Sequence, residues 1–347
     1  GRRQRQMCIR DRNIYIYKEN NFGGEFLEYK GTYKGISDYK ENYIKGGIKK
    51  ILLTIIFIIT FISTLVFMTS KFIKSVSEET LLSNDDINKY INTCDDASSG
   101  GFQLNWQEIA AISGTINNGN FEIDNNVINK IVNSFYKKDS SGNIIELNSF
   151  KSAVKSLKLN NEEEETANKY LEGLKNNYIH RELAKDSSKL EFIDNISEIA
   201  FDNYKSYGIL PSITIAQAIL ESGWGESTLS SQYNNLFGIK ADERWSGDSV
   251  DLQTKENYDD VIVGAFRSYK DLKSSIKDHG KFLWENERYS SNGLFEAKSY
   301  KEQAQALENA GYSTAKDEEG NLIYGDKLIR VIQENNLMLY DTKVQRK

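Results

Sequence analysis

The segment Pro211–Gly225, PSITIAQAILESGWG, decides the predicted fold of the region around it. Apolar residues recur here at the spacing of one helix face; they are Ile209, Ile213, Ala216 and Leu220. Proline suits the first turn of a helix, and Gly223 suits the position just beyond the last turn. The pattern therefore predicts a buried helix that carries Glu221 at its C-terminal end, just before Trp224.

The position of Glu221 indicates a chemical function. A carboxyl group held at the end of an apolar helix loses part of its hydration, which raises its pKa and lets it act as a general acid near neutral pH. The alternative is an ordinary surface carboxylate in the last turn of a core helix. The apolar residues before Glu221, the glycines after it, and the indole of Trp224, on which a sugar ring can pack, favour the catalytic interpretation.

Further motifs follow this helix in a fixed order. They are Ser231–Lys240 (SQYNNLFGIK), Trp245–Gly247 (WSG), Gln253–Glu256 (QTKE), Ala265–Tyr269 (AFRSY) and Ala310–Thr314 (AGYST). Together with the first segment they resemble the glucosaminidase family of peptidoglycan hydrolases, glycoside hydrolase family seventy-three. The resemblance covers roughly Ser187 to Tyr340, about half of the chain.

The resemblance implies a mainly helical (α+β), lysozyme-like catalytic domain with a small β-hairpin lobe beside the cleft. It implies hydrolysis of the β-1,4 bond between N-acetylglucosamine and N-acetylmuramic acid in peptidoglycan glycan strands. Glu221 matches the general acid, which protonates the departing glycosidic oxygen. The alternatives are a lytic transglycosylase, a muramidase, or a non-catalytic wall-binding module.

A second catalytic carboxylate is predicted at Glu256, which the resemblance places in the β-hairpin lobe. Alternation over Val250–Thr254 predicts a strand, and residues 257–260 predict a turn, so Glu256 lies near the hairpin tip. There it can activate a water molecule or stabilise positive charge on the sugar. Asp259 and Asp260 are rivals for this role. The acetamido group of the substrate could also assist in its place, and Glu256 would then be an ordinary solvated carboxylate.

Tyr312 is the third catalytic candidate. A helix is predicted over Ser299–Gly311, with a capping box at its start and glycine at its end. In the family, the aromatic residue that follows this glycine lines the cleft. Here the acidic stretch Lys316–Asn321 departs from the family pattern and separates Tyr312 from Tyr324, a candidate substrate-binding residue.

The remaining candidate substrate contacts are Trp224, Asn234, Asn235, Phe237, Trp245 and Tyr324. For the two asparagines, the alternative is a turn in which the side chains bond backbone groups. For Trp245, the alternative is a core anchor under the β-hairpin lobe.

Composition excludes several further classes of function. The net charge is −6 and the basic residues are scattered, which argues against a nucleic-acid partner. His180 and His279 are far apart and have no cysteine or acidic cluster at ligand spacing, so we expect no metal and no cofactor. Cys8 and Cys94 lie on opposite sides of a long apolar segment, so no disulfide is expected between them.

That apolar segment, Ile51–Thr69, contains no charged residue and is long enough to cross a bilayer. Lysines precede it, which favours a single-pass membrane protein with residues 1–50 in the cytosol and the rest outside. A cleaved signal peptide is the alternative. Residues 13–50 show no sustained periodicity and predict an irregular tail. The first dozen residues differ from the rest of the chain in composition and look non-native.

Between the apolar segment and the catalytic domain, residues 70–101 predict a linker. Helical patterns over 102–185 predict a small helical spacer region, and 186–347 form the predicted catalytic domain. A second, degenerate lysozyme-like unit is the alternative for the spacer, and Glu108 beside Trp106 is its only support.

Overall fold

The computed structural model describes residues 14–18, 25–29, 48–68, 82–178, 187–256 and 260–346. Contacts divide the chain into two compact units, Gly1–Ser75 and Val76–Lys347. In the described residues all regular structure is helical apart from three antiparallel two-stranded sheets. The predicted mainly helical fold with a small hairpin lobe is therefore confirmed.

The first unit contains a hairpin and one long helix. Strands β1 (Ile14–Lys18) and β2 (Glu25–Tyr29) pair antiparallel, so the irregular tail predicted for this region is wrong at these residues. Both strands are rich in aromatic and branched residues, whose pairing a search for helical periodicity does not detect. Helix α1 (Ile48–Met68) coincides with the predicted apolar segment, and its side chains are exposed.

The second unit begins with five helices and a short hairpin. They are α2 (Asn84–Ala97), α3 (Trp106–Ile116), α4 (Asn125–Phe135), β3 (Tyr136–Lys138), β4 (Ile144–Leu147), α5 (Phe150–Ser156) and α6 (Asn161–Tyr178). Helix α2 lies inside the stretch predicted as a linker. It starts at the cap Ser83 and buries Ile87, Tyr90 and Cys94, an amphipathic pattern hidden among many polar residues.

These helices pack directly on the second half of the unit. Asp95 of α2 is buried and accepts hydrogen bonds from Tyr300 and from Gln333, the latter at 3.0 Å. Glu108 at the start of α3 forms a two-pronged ion pair with Arg346, with one oxygen 2.7 Å from Nη1. The predicted linker, through Asp95, and the predicted spacer, through Glu108, are thus both bonded to the predicted catalytic domain.

The second half contains eight helices and one hairpin among its described residues. They are α7 (Ser187–Tyr207), α8 (Pro211–Ser222), α9 (Thr228–Tyr233), β5 (Ser249–Glu256), β6 (Asp260–Arg267), α10 (Leu272–Glu285), α11 (Glu287–Ser290), α12 (Tyr300–Asn309), α13 (Tyr324–Glu334) and α14 (Met338–Gln345). The predicted hairpin is present, with Ser249 opposite Arg267 and Glu256 opposite Asp260.

Helix α8 is the central element, with every residue from Pro211 to Ile219 buried. It has no local side-chain cap. Instead Asp341 of α14 accepts hydrogen bonds from the Ser212 amide at 2.9 Å and the Ser212 hydroxyl at 2.6 Å. The helix ends, as predicted, where Gly223 takes the left-handed conformation with φ 58°. Both ends of the helix that carries Glu221 are therefore fixed.

Candidate functional site

Glu221 occupies the last turn of α8, where the buried helix reaches the surface. Ile219, two positions before it, and Ser222, directly after it, are buried, whereas Glu221 is exposed. The chain then reverses through Gly223 and Trp224, both with positive φ. A carboxylate can thus face solvent or substrate at the end of an otherwise apolar helix.

Tyr324 holds the Glu221 carboxyl. Its hydroxyl donates a hydrogen bond to Glu221 Oε1 at 2.9 Å and accepts one from Gln217 Nε2 at 3.1 Å. The phenol is buried, as is Gln217. The sequence motifs indicate Tyr324 only as a substrate contact and do not mark Gln217, although Gln217 lies one turn before Glu221 on the same helix face.

The environment raises the pKa of Glu221. Partial burial of the carboxyl is the largest cause, and the hydrogen bond from Tyr324 and the charge of Lys327 oppose it. Although the residue as a whole is exposed, the surrounding protein removes enough water from the carboxyl to disfavour its charged form. This direction is the one that a general acid at neutral pH needs.

Tyr312 lies beside this pair. Its ring stacks on that of Tyr324 with centroids 5.0 Å apart and an interplanar angle of 19°. On another side it meets His279 edge to face at 6.3 Å. Burial and the nearby charge of Glu221 raise the pKa of Tyr312, so its hydroxyl stays protonated. The structure thus brings Glu221, Tyr312 and Tyr324 into one cluster.

The acidic stretch before Tyr324 does not disturb this arrangement. Residues Lys316 and Leu322 pair across it, and Asp317 bonds the amides of Glu319 and Asn321, so the insertion closes on itself. Beyond it, α13 begins at Tyr324, whose neighbour Gly325 donates its amide to Glu308 at 2.8 Å. Tyr324 therefore enters the site from a fixed helix end.

Trp224 is half-buried next to the catalytic candidate. Phe192 meets it edge to face at 6.1 Å, and the Lys189 ammonium lies 5.1 Å from its ring centroid. A side chain at Gly225 would meet Phe192 at 2.9 Å, which explains the glycine after the tryptophan. Contact of Trp224 with a sugar ring stays a prediction.

The Asn-Asn-Leu-Phe-Gly turn serves the fold in this structure. Asn234 caps α9 and donates to the Tyr269 carbonyl at 2.9 Å. Asn235 is buried and bonds Ile239 in both directions and the Arg267 carbonyl at 2.8 Å. Phe237 is buried and stacks on His279 at 3.7 Å. The backbone-bonding alternative thus describes the contacts of both asparagines.

Trp245 packs against the hairpin lobe and is half-buried. The Arg267 guanidinium lies 4.6 Å from its ring centroid, and Tyr269 meets it edge to face at 5.6 Å. Arg267 and Tyr269 both bond Asp278 of α10 at 2.7 Å, which fixes the lobe to the helical body. No local motif in the sequence marks Asp278 or this network. Trp245 lies outside the hydrophobic core of the described residues, so both of its roles, sugar contact and core anchor, stay predictions.

The second carboxylate stays a prediction. Glu256 is the last residue of β5 and pairs with Asp260, close to the hairpin tip, as expected. The side chains of Glu256 and Asp260, and all of Asp259, lie outside the described residues. His180 also lies outside them, and the described residues contain no cluster of His, Cys, Asp or Glu that could hold a metal.

Comparison with known proteins gives the family. A model of the glucosaminidase family, described as mannosyl-glycoprotein endo-beta-N-acetylglucosaminidase, matches residues 197–337. The exo-glucosaminidase LytG of Bacillus subtilis is 37% identical over 172 residues, covering 46% of this chain and 57% of that protein. The peptidoglycan hydrolase FlgJ of Vibrio parahaemolyticus is 36% identical over 157 residues, covering 44% and 49%.

The catalytic domain of the autolysin Auto from Listeria monocytogenes is a similar solved structure. It is 34% identical, with coverage of 44% of this chain and 87% of that chain and a TM-score of 0.38. The chain spans about half the length of the curated relatives it matches. Its matched segment contains Glu221, Glu256, Tyr312 and Tyr324. On the family-model match, residues 197–337 of this chain belong to the glucosaminidase family.

Proposed function

We propose that this protein is a membrane-anchored endo-β-N-acetylglucosaminidase acting on peptidoglycan glycan strands. The observation that carries the proposal is Glu221, an accessible carboxyl with a raised pKa, bonded by Tyr324 at the end of a buried helix. Membership of the glucosaminidase family and the peptidoglycan hydrolases among its relatives support the substrate class.

In the proposed reaction, protonated Glu221 gives its proton to the glycosidic oxygen. The bond between the anomeric carbon and that oxygen breaks, and the bonding electrons leave with the protonated oxygen. Water then attacks the anomeric carbon and loses a proton. We assign activation of that water to Glu256 and contact with the sugar to Tyr312. Assistance by the substrate acetamido group is the alternative to Glu256.

The names of the relatives define what product analysis must distinguish. One relative is an exo-glucosaminidase, and others are probable N-acetylmuramidases of Lactococcus lactis. The endo-glucosaminidase proposal predicts internal cuts and fragments with N-acetylglucosamine at the new reducing end. Single terminal sugars, N-acetylmuramic acid at the reducing end, or an anhydro sugar would indicate an exo-enzyme, a muramidase or a lytic transglycosylase, respectively.

The test uses Glu221→Gln, which keeps the shape of the side chain and removes the acidic proton. The rate at which this variant cleaves purified cell walls should fall by about a hundredfold to ten-thousandfold. The fragments are identified by mass spectrometry. Glu226→Gln is the matched control, because Glu226 is exposed in the next turn of chain and should not affect the rate. Activity of Glu221→Gln within a few-fold of the parent would exclude this general acid.

We further propose that α1 anchors the protein with the catalytic half outside the cell. Its most apolar 18-residue stretch has a mean hydropathy of 2.8, and its 21 residues span about 31 Å at the helical rise, close to the thickness of a bilayer core. Protease added to intact protoplasts should digest residues beyond 70. Protection would contradict the orientation, and a mature protein that lacks α1 would indicate a cleaved signal peptide instead.

A further inference from the structure

A chain of two hydrogen bonds leads from the interior of α8 to Glu221. Gln217 and Glu221 are four residues apart and therefore share one face of the helix. The Gln217 amide group donates to the Tyr324 hydroxyl at 3.1 Å, and that hydroxyl donates to Glu221 Oε1 at 2.9 Å. Gln217 is fully buried and Tyr324 nearly so, which keeps this chain away from bulk water.

The donors along this chain have a fixed direction. A hydroxyl has one hydrogen and two lone pairs, whereas an amide NH₂ can only donate. With Gln217 donating to the Tyr324 oxygen, the tyrosine hydrogen is directed to Glu221 Oε1. A proton on that same Oε1 would oppose the tyrosine hydrogen. Among the described residues, no protein group is hydrogen-bonded to the second carboxyl oxygen, Oε2.

We propose that Gln217 is a positioning residue that acts through Tyr324 to keep the acidic proton of Glu221 on Oε2, the oxygen free to meet the glycosidic bond. The inference rests on the proposed function, since it names the oxygen that delivers the proton in that reaction. Gln217 itself does not touch the substrate.

The structure allows a substitution that removes the Gln217 donor and disturbs no other hydrogen bond of its side chain. The Gln217 Oε1 atom is buried and has no hydrogen-bond partner among the described residues, so Gln217→Met removes the donor without stranding a partner of Oε1. Thr214, one turn earlier on α8, is likewise buried with an unpaired hydroxyl, so Thr214→Val is a matched control for a change in the helix core.

In Gln217→Met the Tyr324 oxygen becomes free to accept from Glu221. The neutral carboxyl then gains a second arrangement, with its proton on Oε1, which stabilises the neutral form and divides the proton between the two oxygens. We therefore expect the pKa of Glu221 to rise and the rate to fall. One net hydrogen bond corresponds to about a two- to tenfold change in rate.

The first measurement does not need substrate. The full chain in detergent, labelled with carbon-13 at glutamate carboxyls, is titrated by NMR, and Glu221→Gln identifies the signal. We expect the Glu221 midpoint to move to higher pH in Gln217→Met and in Tyr324→Phe, and not in Thr214→Val. An unchanged midpoint in Gln217→Met would overturn the inference.

The second measurement uses the dependence of wall cleavage on pH, whose basic limb reports the general acid. In Gln217→Met this limb should move to higher pH and the rate should fall by about two- to tenfold. Added to Tyr324→Phe, Gln217→Met should have no further effect, because it acts through Tyr324. If Gln217→Met lowers the cleavage rate of the Tyr324→Phe protein as much as it lowers that of the parent, its effect is merely structural.

These two measurements separate the inference from the proposed function. A parent protein that cleaves no wall substrate would refute the function, while the titration would still decide whether Gln217 acts on Glu221. An active parent with an unmoved pH profile in Gln217→Met would refute the inference alone.

Discussion

Asp341 should make the stability of this protein fall as pH rises. Its carboxyl is fully buried at the start of α8, and burial raises its pKa from 3.8 to about 7, against the opposing bonds from Ser212. The folded state therefore binds this proton more tightly than the unfolded state. Between pH 4 and 7 folding retains a proton that the unfolded chain releases, so each rise in pH in that window favours unfolding.

The size of the effect follows from the two pKa values. A difference of about 3 pKa units, at 1.36 kcal/mol for each unit, corresponds to about 4 kcal/mol lost between pH 4 and 8. Asp341→Asn keeps the size of the side chain and one acceptor for the Ser212 amide, and it cannot ionise. Its free energy of unfolding should lack this decline.

The assay is urea unfolding of the chain without residues 1–75, followed by circular dichroism at several pH values. The difference between variant and parent is the quantity to follow, because Glu221 and Asp95 also have raised pKa values and cancel in it. This difference should grow in favour of Asp341→Asn by about 4 kcal/mol from pH 4 to 8. Asp251→Asn, at an exposed position, should show no growth. If the difference in free energy of unfolding between Asp341→Asn and the parent does not change with pH, Asp341 is not a buried carboxyl with a raised pKa.

Three further predictions concern the site and the packing around it. Glu256→Gln should reduce wall cleavage by about a hundredfold, and more than Tyr312→Phe does, if a carboxylate activates water; the reverse order of the two rates would favour acetamido assistance. Arg346→Met should lower the free energy of unfolding by about 3 kcal/mol, because it leaves the buried Glu108 without its ion-pair partner. In denaturant titrations, adding Glu108→Gln should recover most of that loss. Asn235→Ala should lower the free energy of unfolding by about 3 kcal/mol, because three buried hydrogen bonds are lost. An unchanged midpoint of thermal unfolding would contradict the strength assigned to these bonds.

The elements that local sequence signals define were predictable. Proline and glycine mark the ends of α8, alternation marks β5, and the cap at Ser299 marks the start of α12, as the structure has them. Each signal depends on residues within a few positions of one another. The position of Glu221 at the end of a buried helix follows from the same local pattern.

Contacts between distant parts of the chain were not predictable in this way. Tyr324 and Glu221 are 103 positions apart, and Asp341 and Ser212 are 129 apart, so no spacing rule relates them. Helix α8 even lacks a local N-terminal capping side chain, because its cap comes from α14. The docking of α2 through Asp95 was missed for the same reason, since its partners Tyr300 and Gln333 lie in later helices.

The distant cap of α8 also bears on where this protein can be divided. The segment that matches the family model ends at residue 337, four positions before Asp341. Exchange of that segment between proteins would transfer Glu221 and leave behind Asp341, which accepts hydrogen bonds at the opposite end of its helix. The unit that must be transferred intact is therefore longer than the segment that matches the family model, because the last helix completes the first turn of the helix that carries Glu221.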